Sequence, residues 1–226
     1  MMFEFRTISG LTIVVVGALA LSSCSPVSPT EAAFSDNVYV DVESLKPTTM
    51  GLSYDLELIP SNKELAAISD IVATGTVVGV ADGPQYGRFD DEFSDLTSVV
   101  IEIKADEFAQ GATDSGELYV SMLSSPELSI EEWSRAYPSG AKMVVYAEES
   151  APGSPDKGLD TQDWASGRPE GAALYIPHPQ GLAVQTSEHQ LLWPLTGVTR
   201  AGTLRDALPS GDALGIWLPG EEPVEE

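Results

Sequence analysis

The chain has 226 residues, with 35 acidic against 11 basic side chains, a formal net charge of −24 and one cysteine. Phosphate recognition runs on clustered Lys and Arg, so this balance argues against nucleic acid as a partner and against direct adhesion to anionic lipid head groups. A single cysteine allows no intramolecular disulfide.

In chain order, the first feature is an apolar run, Leu11–Leu21, that ends at Ser22, Ser23 and Cys24. A bilayer-crossing helix needs ~20 mostly apolar residues, about twice this length. The run therefore reads as the core of an export signal over residues 1–23, behind a short n-region in which Glu4 offsets Arg6. The tetrapeptide Leu21-Ser22-Ser23-Cys24 resembles the bacterial lipobox. That resemblance implies a diacylglyceryl group on the Cys24 thiol and cleavage just before it. The chemistry agrees, because small residues expose the backbone to a peptidase and a thiol is readily S-alkylated. An ordinary secretory signal with an incidental cysteine is the alternative. Losing residues 1–23 removes one Glu and one Arg, so the charge stays at −24. The expected location is the extracytoplasmic face of a bacterial membrane, where two or more acyl chains give stable anchoring. Residues 24–37, rich in Ser, Pro, Thr and Ala, then form a flexible tether.

A β-barrel-like domain is expected over 38–200. It opens with VYVDV (38–42), followed by MGLSYDLELI (50–59), where Met50, Leu52, Tyr54, Leu56 and Leu58 alternate as in a half-buried strand. Pro60 ends that pattern, and Ser61 through Glu64 has capping-box form, which predicts a short helix over 61–68. DIVATGTVVGV (70–80) is a β-branched run typical of a central strand. After an acidic loop at 82–96, Val99, Ile101 and Ile103 alternate, as do Leu118, Val120 and Met122, with a Gly-rich turn between the two strands. SIEEWSRAY (129–137) predicts a helix starting at Ser129 with Glu132 completing its capping box. AKMVVYAEE (141–149) is a further strand. A Pro/Gly/Asp loop at 150–171 precedes three shorter strands, AALYIPH, GLAVQTS and HQLLWPL. Residues 201–226 hold a brief helix at Thr203–Asp206 and an acidic tail. The fold class is mainly β, a small antiparallel OB-like barrel or barrel-like sandwich with one or two short helices. Val72, Val77, Ile101, Val120 and Val145 are expected to point inward.

The segments from ELAAISDIVATGTVVGV through TSVVIEIKADEFAQG, GELYVSML and AKMVVYAEE to PQGLAVQ cover about residues 64–186. They resemble a widespread class of uncharacterised bacterial envelope lipoproteins whose small OB-like barrels are of the netrin-module kind. The likeness is one of hydrophobic pattern. It implies the fold, and it implies no activity or active-site residues.

No nucleotide, nucleophile-elbow or EF-hand spacing occurs. Asp90, Asp91, Glu92 and Asp95 crowd one loop, and Asp156, Asp160 and Asp163 another, yet both sets read as solvated loops rather than cation sites. His178 and His189 are the only histidines, too few for zinc without carboxylate ligands. Trp133, Trp164, Trp193 and Trp217, with Tyr86, Tyr137 and Tyr175, could line a peptide- or sugar-binding face, but such aromatics are more often core or core-rim. Trp164, in a polar loop, is the one expected to be exposed. These features favour a non-enzymatic binding or accessory module of the cell envelope. Its candidate contact surface is Tyr86, Asp90, Asp91 and Trp164, on the two long loops. The alternative is an envelope hydrolase, with or without a metal, using His178 or His189 and loop carboxylates. No cofactor is implied. The expected partners are the membrane, through Cys24, and an envelope protein or glycan.

Overall fold

The computed structural model describes residues 37–49, 58–87, 96–153 and 160–211, all within the unit Asn37–Glu226. In chain order the elements are α1 (Val42–Thr49), α2 (Asn62–Ala67), β1 (Ile71–Asp82), β2 (Gln85–Gly87), β3 (Thr97–Gln110), β4 (Glu117–Ser124), α3 (Ile130–Ala136), β5 (Lys142–Ser150), β6 (Asp160–Gln162), β7 (Leu174–Ser187), β8 (Gln190–Trp193), β9 (Val198–Ala201) and a 3-10 turn (Leu204–Ala207). The β-branched run at 70–80 became β1, the alternating segments around Val99–Ile103 and Leu118–Met122 became β3 and β4, and the strand read at 141–149 became β5.

Five long strands run in the order β4-β3-β1-β5-β7 as antiparallel neighbours, and β8 and β9 continue the sheet beyond β7. Val120 of β4 pairs in parallel with Tyr175 of β7, which brings the two edges of the five together. With α3 in the connection between β4 and β5, this is the partly open, OB-like barrel expected from the strand pattern. Bending comes from β1, whose ladder with β3 carries register shifts at Val72/Ala73, Thr74/Gly75 and Val77/Gly79. Gly75 permits a close approach of the two strands, since a Cβ there would lie 2.7 Å from the Lys104 carbonyl oxygen.

Inside the ring, Val77, Ile101, Ile103, Leu118, Val120, Met143, Val145 and Leu182 form the main core. α3 inserts Trp133 and Tyr137 into it, with ring centroids 5.7 Å apart. The Trp133 indole N–H donates to Ser124 Oγ at 2.8 Å. The capping box that starts α3 is complete. The Glu132 N–H donates to Ser129 Oγ at 3.3 Å, and the Ser129 N–H donates to Glu132 Oε2 at 2.9 Å. At α2 Ser61 likewise accepts from the Glu64 N–H.

Val72 departs from expectation. It is buried, but on the other side of the sheet, in a second cluster with Leu65, Val144, Tyr146, Ala183, Leu191 and Trp193 under α2 and the 3-10 turn. Val72 and Val77 have opposite parity on β1, and each face has its own cover. The same double burial explains why MVVY in β5 is continuously apolar.

One element had no counterpart in the sequence reading, and one further reading is corrected. Residues 42–49 form α1: Leu45 and Thr48 are buried despite Pro47 and two β-branched threonines, so packing overrides weak propensity. AALYIPH and GLAVQTS are one strand, β7, bent at Pro177-His178-Pro179, where its ladder with β5 shifts register between Val145 and Ala147. Prolines donate no ladder hydrogen bond and fit at such a bulge. Gly181 meets the Tyr146 carbonyl there, with no room for a side chain. The alternation over Met50–Leu56 lies outside the described residues, and Leu58 is exposed and not in a strand.

Candidate functional site

The two long loops of the barrel are joined to each other. β2, from the 82–96 loop, pairs antiparallel with β6, from the 150–171 loop, through Gln85 with Gln162, Tyr86 with Thr161 and Gly87 with Asp160. The first loop also closes on itself: the Tyr86 N–H donates to the Leu96 carbonyl at 2.8 Å and the Leu96 N–H to the Tyr86 carbonyl at 2.6 Å. Asp82-Gly83-Pro84 makes the turn into it, held by the Gly83 N–H donating to the Ser98 carbonyl at 2.9 Å. The second loop is seated through Gly167, at φ 77°, where a Cβ would meet Val100 at 2.7 Å. Only a residue without a side chain fits that left-handed, close-packed position.

Beneath the joined loops lies a cavity of about 330 Å³, open on one side. Tyr86 and Leu96 line it from the first loop, Ser121, Met122 and Leu123 from β4, and Ser150, Ala151 and Gly153 from β5 and the loop that follows. Ile176 and Pro177 of β7 and Leu195 of the β8–β9 turn complete it. Its size falls within the ~300–1,000 Å³ range of small-molecule sites. Leu96 and Ile176 are 48 % and 46 % exposed, so the lining continues outward as an apolar rim.

Tyr86 is the polar feature of this lining. Its side chain is 8 % exposed, and its hydroxyl is enclosed without a hydrogen bond of regular geometry. Burial raises its pKa, and the Ser121 and Ser150 hydroxyls and the Arg168 charge only partly oppose that. Tyr86 is thus a neutral phenol whose ring lines the hollow and whose hydroxyl is enclosed in its wall.

Trp164 is half-buried rather than exposed. It packs against Val100, Tyr119 and Leu174, and the Arg168 guanidinium lies 4.7 Å from its ring centroid. Arg168 Nε–H also donates to the Ala172 carbonyl at 2.9 Å. The pair buckles the second loop onto the barrel. Trp133, Trp193, Tyr137 and Tyr175 are buried, as expected of core aromatics. Cys24, Asp90, Asp91, Glu92, Asp95, Asp156 and Trp217 lie outside the described residues. Asp160 opens β6, and Asp163 follows it in a left-handed conformation, φ 52°.

The histidines keep separate company. His178 is half-buried, its Nδ1 accepts from the Gln180 N–H at 3.1 Å, and burial lowers its pKa against the pull of Glu148. It lines a hollow of about 200 Å³ that shares Ile176 and Pro177 with the larger cavity. His189 is exposed, 3.9 Å from Glu188. Among the described residues, no group of three or more His, Cys, Asp or Glu side chains is placed to hold a metal ion. A third hollow, of about 460 Å³, is lined by Glu117, Tyr119 and Glu170, and its Tyr119 hydroxyl is already bonded to Glu117 at 2.9 Å.

Ser121, Ser150 and Ile176 were not legible as site residues. A serine within an alternating strand is commonplace, and the cavity brings these three together through strand order alone. No helix of the described residues is long and apolar enough to cross a membrane. Compared with protein-family models, curated proteins and solved structures, the chain matches none of them.

Proposed function

We propose that this chain is a lipid-anchored, non-enzymatic binding module of the bacterial cell envelope, one of the envelope lipoproteins its hydrophobic pattern resembles. The single observation that carries the binding reading is the cavity under the joined loops, with Tyr86 enclosed at its lining. Building a two-loop roof over an open apolar space leaves exposed Leu96 and Ile176 in water, which costs free energy unless something covers them. The anchor rests on Leu21-Ser22-Ser23-Cys24. A hydrolase working through His178 or His189 would need a histidine and carboxylates converging in one cleft, and the separate surroundings of the two histidines give that alternative no support.

Two measurements test the reading. Cys24→Ser should release the protein from the membrane fraction or leave it uncleaved; unchanged fractionation with unchanged mass refutes the anchor. Capture from envelope extract should be lost when Ala151, exposed on the cavity wall, is replaced by Trp; capture indifferent to that change refutes binding through this cavity.

A further inference from the structure

Resting on that binding reading, we infer that the cavity receives an extended basic peptide, which pairs with the edge of β4 that β7 leaves free. β4 and β7 meet at one pair, Val120 with Tyr175. On its other side β4 pairs with β3 in unbroken register from Glu117 to Ser124, and the Ala105 N–H donates to the Gly116 carbonyl. Alternation fixes the rest: Leu118, Val120, Met122 and Ser124 spend their backbone groups on β3, whereas Ser121 and Leu123 turn theirs toward β7. The parallel pair at Val120 engages the Tyr119 carbonyl and the Ser121 N–H. One step on, the donor to the Ser121 carbonyl would be residue 177, and Pro177 has no N–H. The ladder stops there, and the Ser121 carbonyl and both backbone groups of Leu123 are left without a strand partner.

The cavity lies along that edge. Ser121 and Leu123 share one face of β4 and Met122 has the other, so a hollow lined by all three, with Ile176 and Pro177 opposite, runs beside the strand. An extended peptide meets both halves of this lining, with amide groups for the strand edge and alternate side chains for the apolar wall. Charge selects among peptides. The chain carries −24, and Glu148 flanks the slot in the adjoining hollow that shares Ile176 and Pro177. None of the described residues lining either hollow is Lys or Arg. Basic residues on either side of an apolar centre complement that field.

The test titrates acetyl-Lys-Val-Val-Val-Lys-amide into the full chain carrying Cys24→Ser, with the Leu123 amide and Ile176 methyl resonances as reporters. Both should shift, and replacing the two Lys by Glu should weaken binding at least about tenfold at low salt. Leu123→Pro removes a donor from an edge where proline is tolerated, and should weaken the peptide about fivefold relative to Leu123→Ala. Should that variant not fold, the peptide N-methylated at all three Val decides the matter against the parent chain, and it should not bind. Silent reporters, equal affinity for the Glu peptide, or undiminished binding by the N-methylated peptide or by Leu123→Pro overturns the inference. So does a dimer that dissociates on Leu123→Pro while the peptide fails to bind, which gives the edge to a second copy of this chain. Such failures leave the envelope-binding reading standing if capture from extract still depends on position 151.

Discussion

Two buried tyrosines show how differently two regions of one barrel are finished. Tyr146 of β5 lies under α2 and the 3-10 turn, where its hydroxyl donates to the Ala207 carbonyl at 2.6 Å. Around it Asn62 donates to the Asp206, Leu208 and Gly211 carbonyls, and Leu65, Leu191 and Trp193 fill the space. Tyr86 lies under the joined loops beside about 330 Å³ of open cavity, with no comparable bond. Burial raises the pKa of both phenols. What separates them is the space beside them: the first hydroxyl is bonded within a filled patch, whereas the second lies in the wall of an open cavity with an exposed rim. A buried polar group with its partner in place stabilises the fold; one whose bonds are poorly formed contributes less.

The comparison can be broken by mutation. Leu191→Ala, in the closed patch with no exposed surface, should cost ~2–5 kcal/mol by urea denaturation, and a loss well under 1 kcal/mol would show that this patch is not a packed core. Tyr146→Phe leaves the Ala207 carbonyl without its donor and should cost ~1–3 kcal/mol. Tyr86→Phe should in contrast be neutral or slightly stabilising, because it removes a buried hydroxyl with no well-formed bond. If the two tyrosine variants lose equal stability, the distinction fails.

Alkali should sharpen it. The folded pKa values of Tyr119, pushed up to about 12, and of Tyr146 and Tyr86 lie above the unfolded value. Their contribution is therefore fully present below pH ~10 and is lost as pH rises through ~10 toward the folded values. Thermal midpoints between pH 9 and 11.5 should fall accordingly, and a flat profile would contradict the burial of these phenols. A smaller effect is expected from His178, whose folded pKa is lowered. Its contribution is present above pH ~6.5 and is lost as pH falls below it, so His178→Gln should flatten the stability profile between pH 7 and 5. The smallest change belongs to the cavity rim: Leu96→Ser should stay within ~0.5 kcal/mol of the parent, and a larger loss would mean that Leu96 belongs to the core.

Much of the fold was legible because its signals are local. The Ser129–Glu132 capping box and the alternation through Val99, Ile101 and Ile103 depend on neighbours three or two residues away, and each produced the expected element. α1 was missed because Pro47 and Thr48-Thr49 speak against a helix that only burial of Leu45 sustains. Within the candidate site, Tyr86 was singled out for lying on a long loop. Its burial and the company of Ser121 and Ser150 follow from long-range pairing.

By itself, then, the sequence determined the mainly β class, the main strands, two helix starts and the acidic character that argues against nucleic acid. In the β-branched run of β1 both faces are apolar, so hydrophobicity marks no inner side; Val72 was placed inward with Val77 although period two sets them on opposite faces. The ring closure of Val120 with Tyr175, the bulge that makes β7 a single strand and the pairing of Tyr86 with Thr161 were decided only in three dimensions. Each joins segments distant in the chain, with backbone groups that every residue type carries, and such pairings leave no pattern in side-chain order.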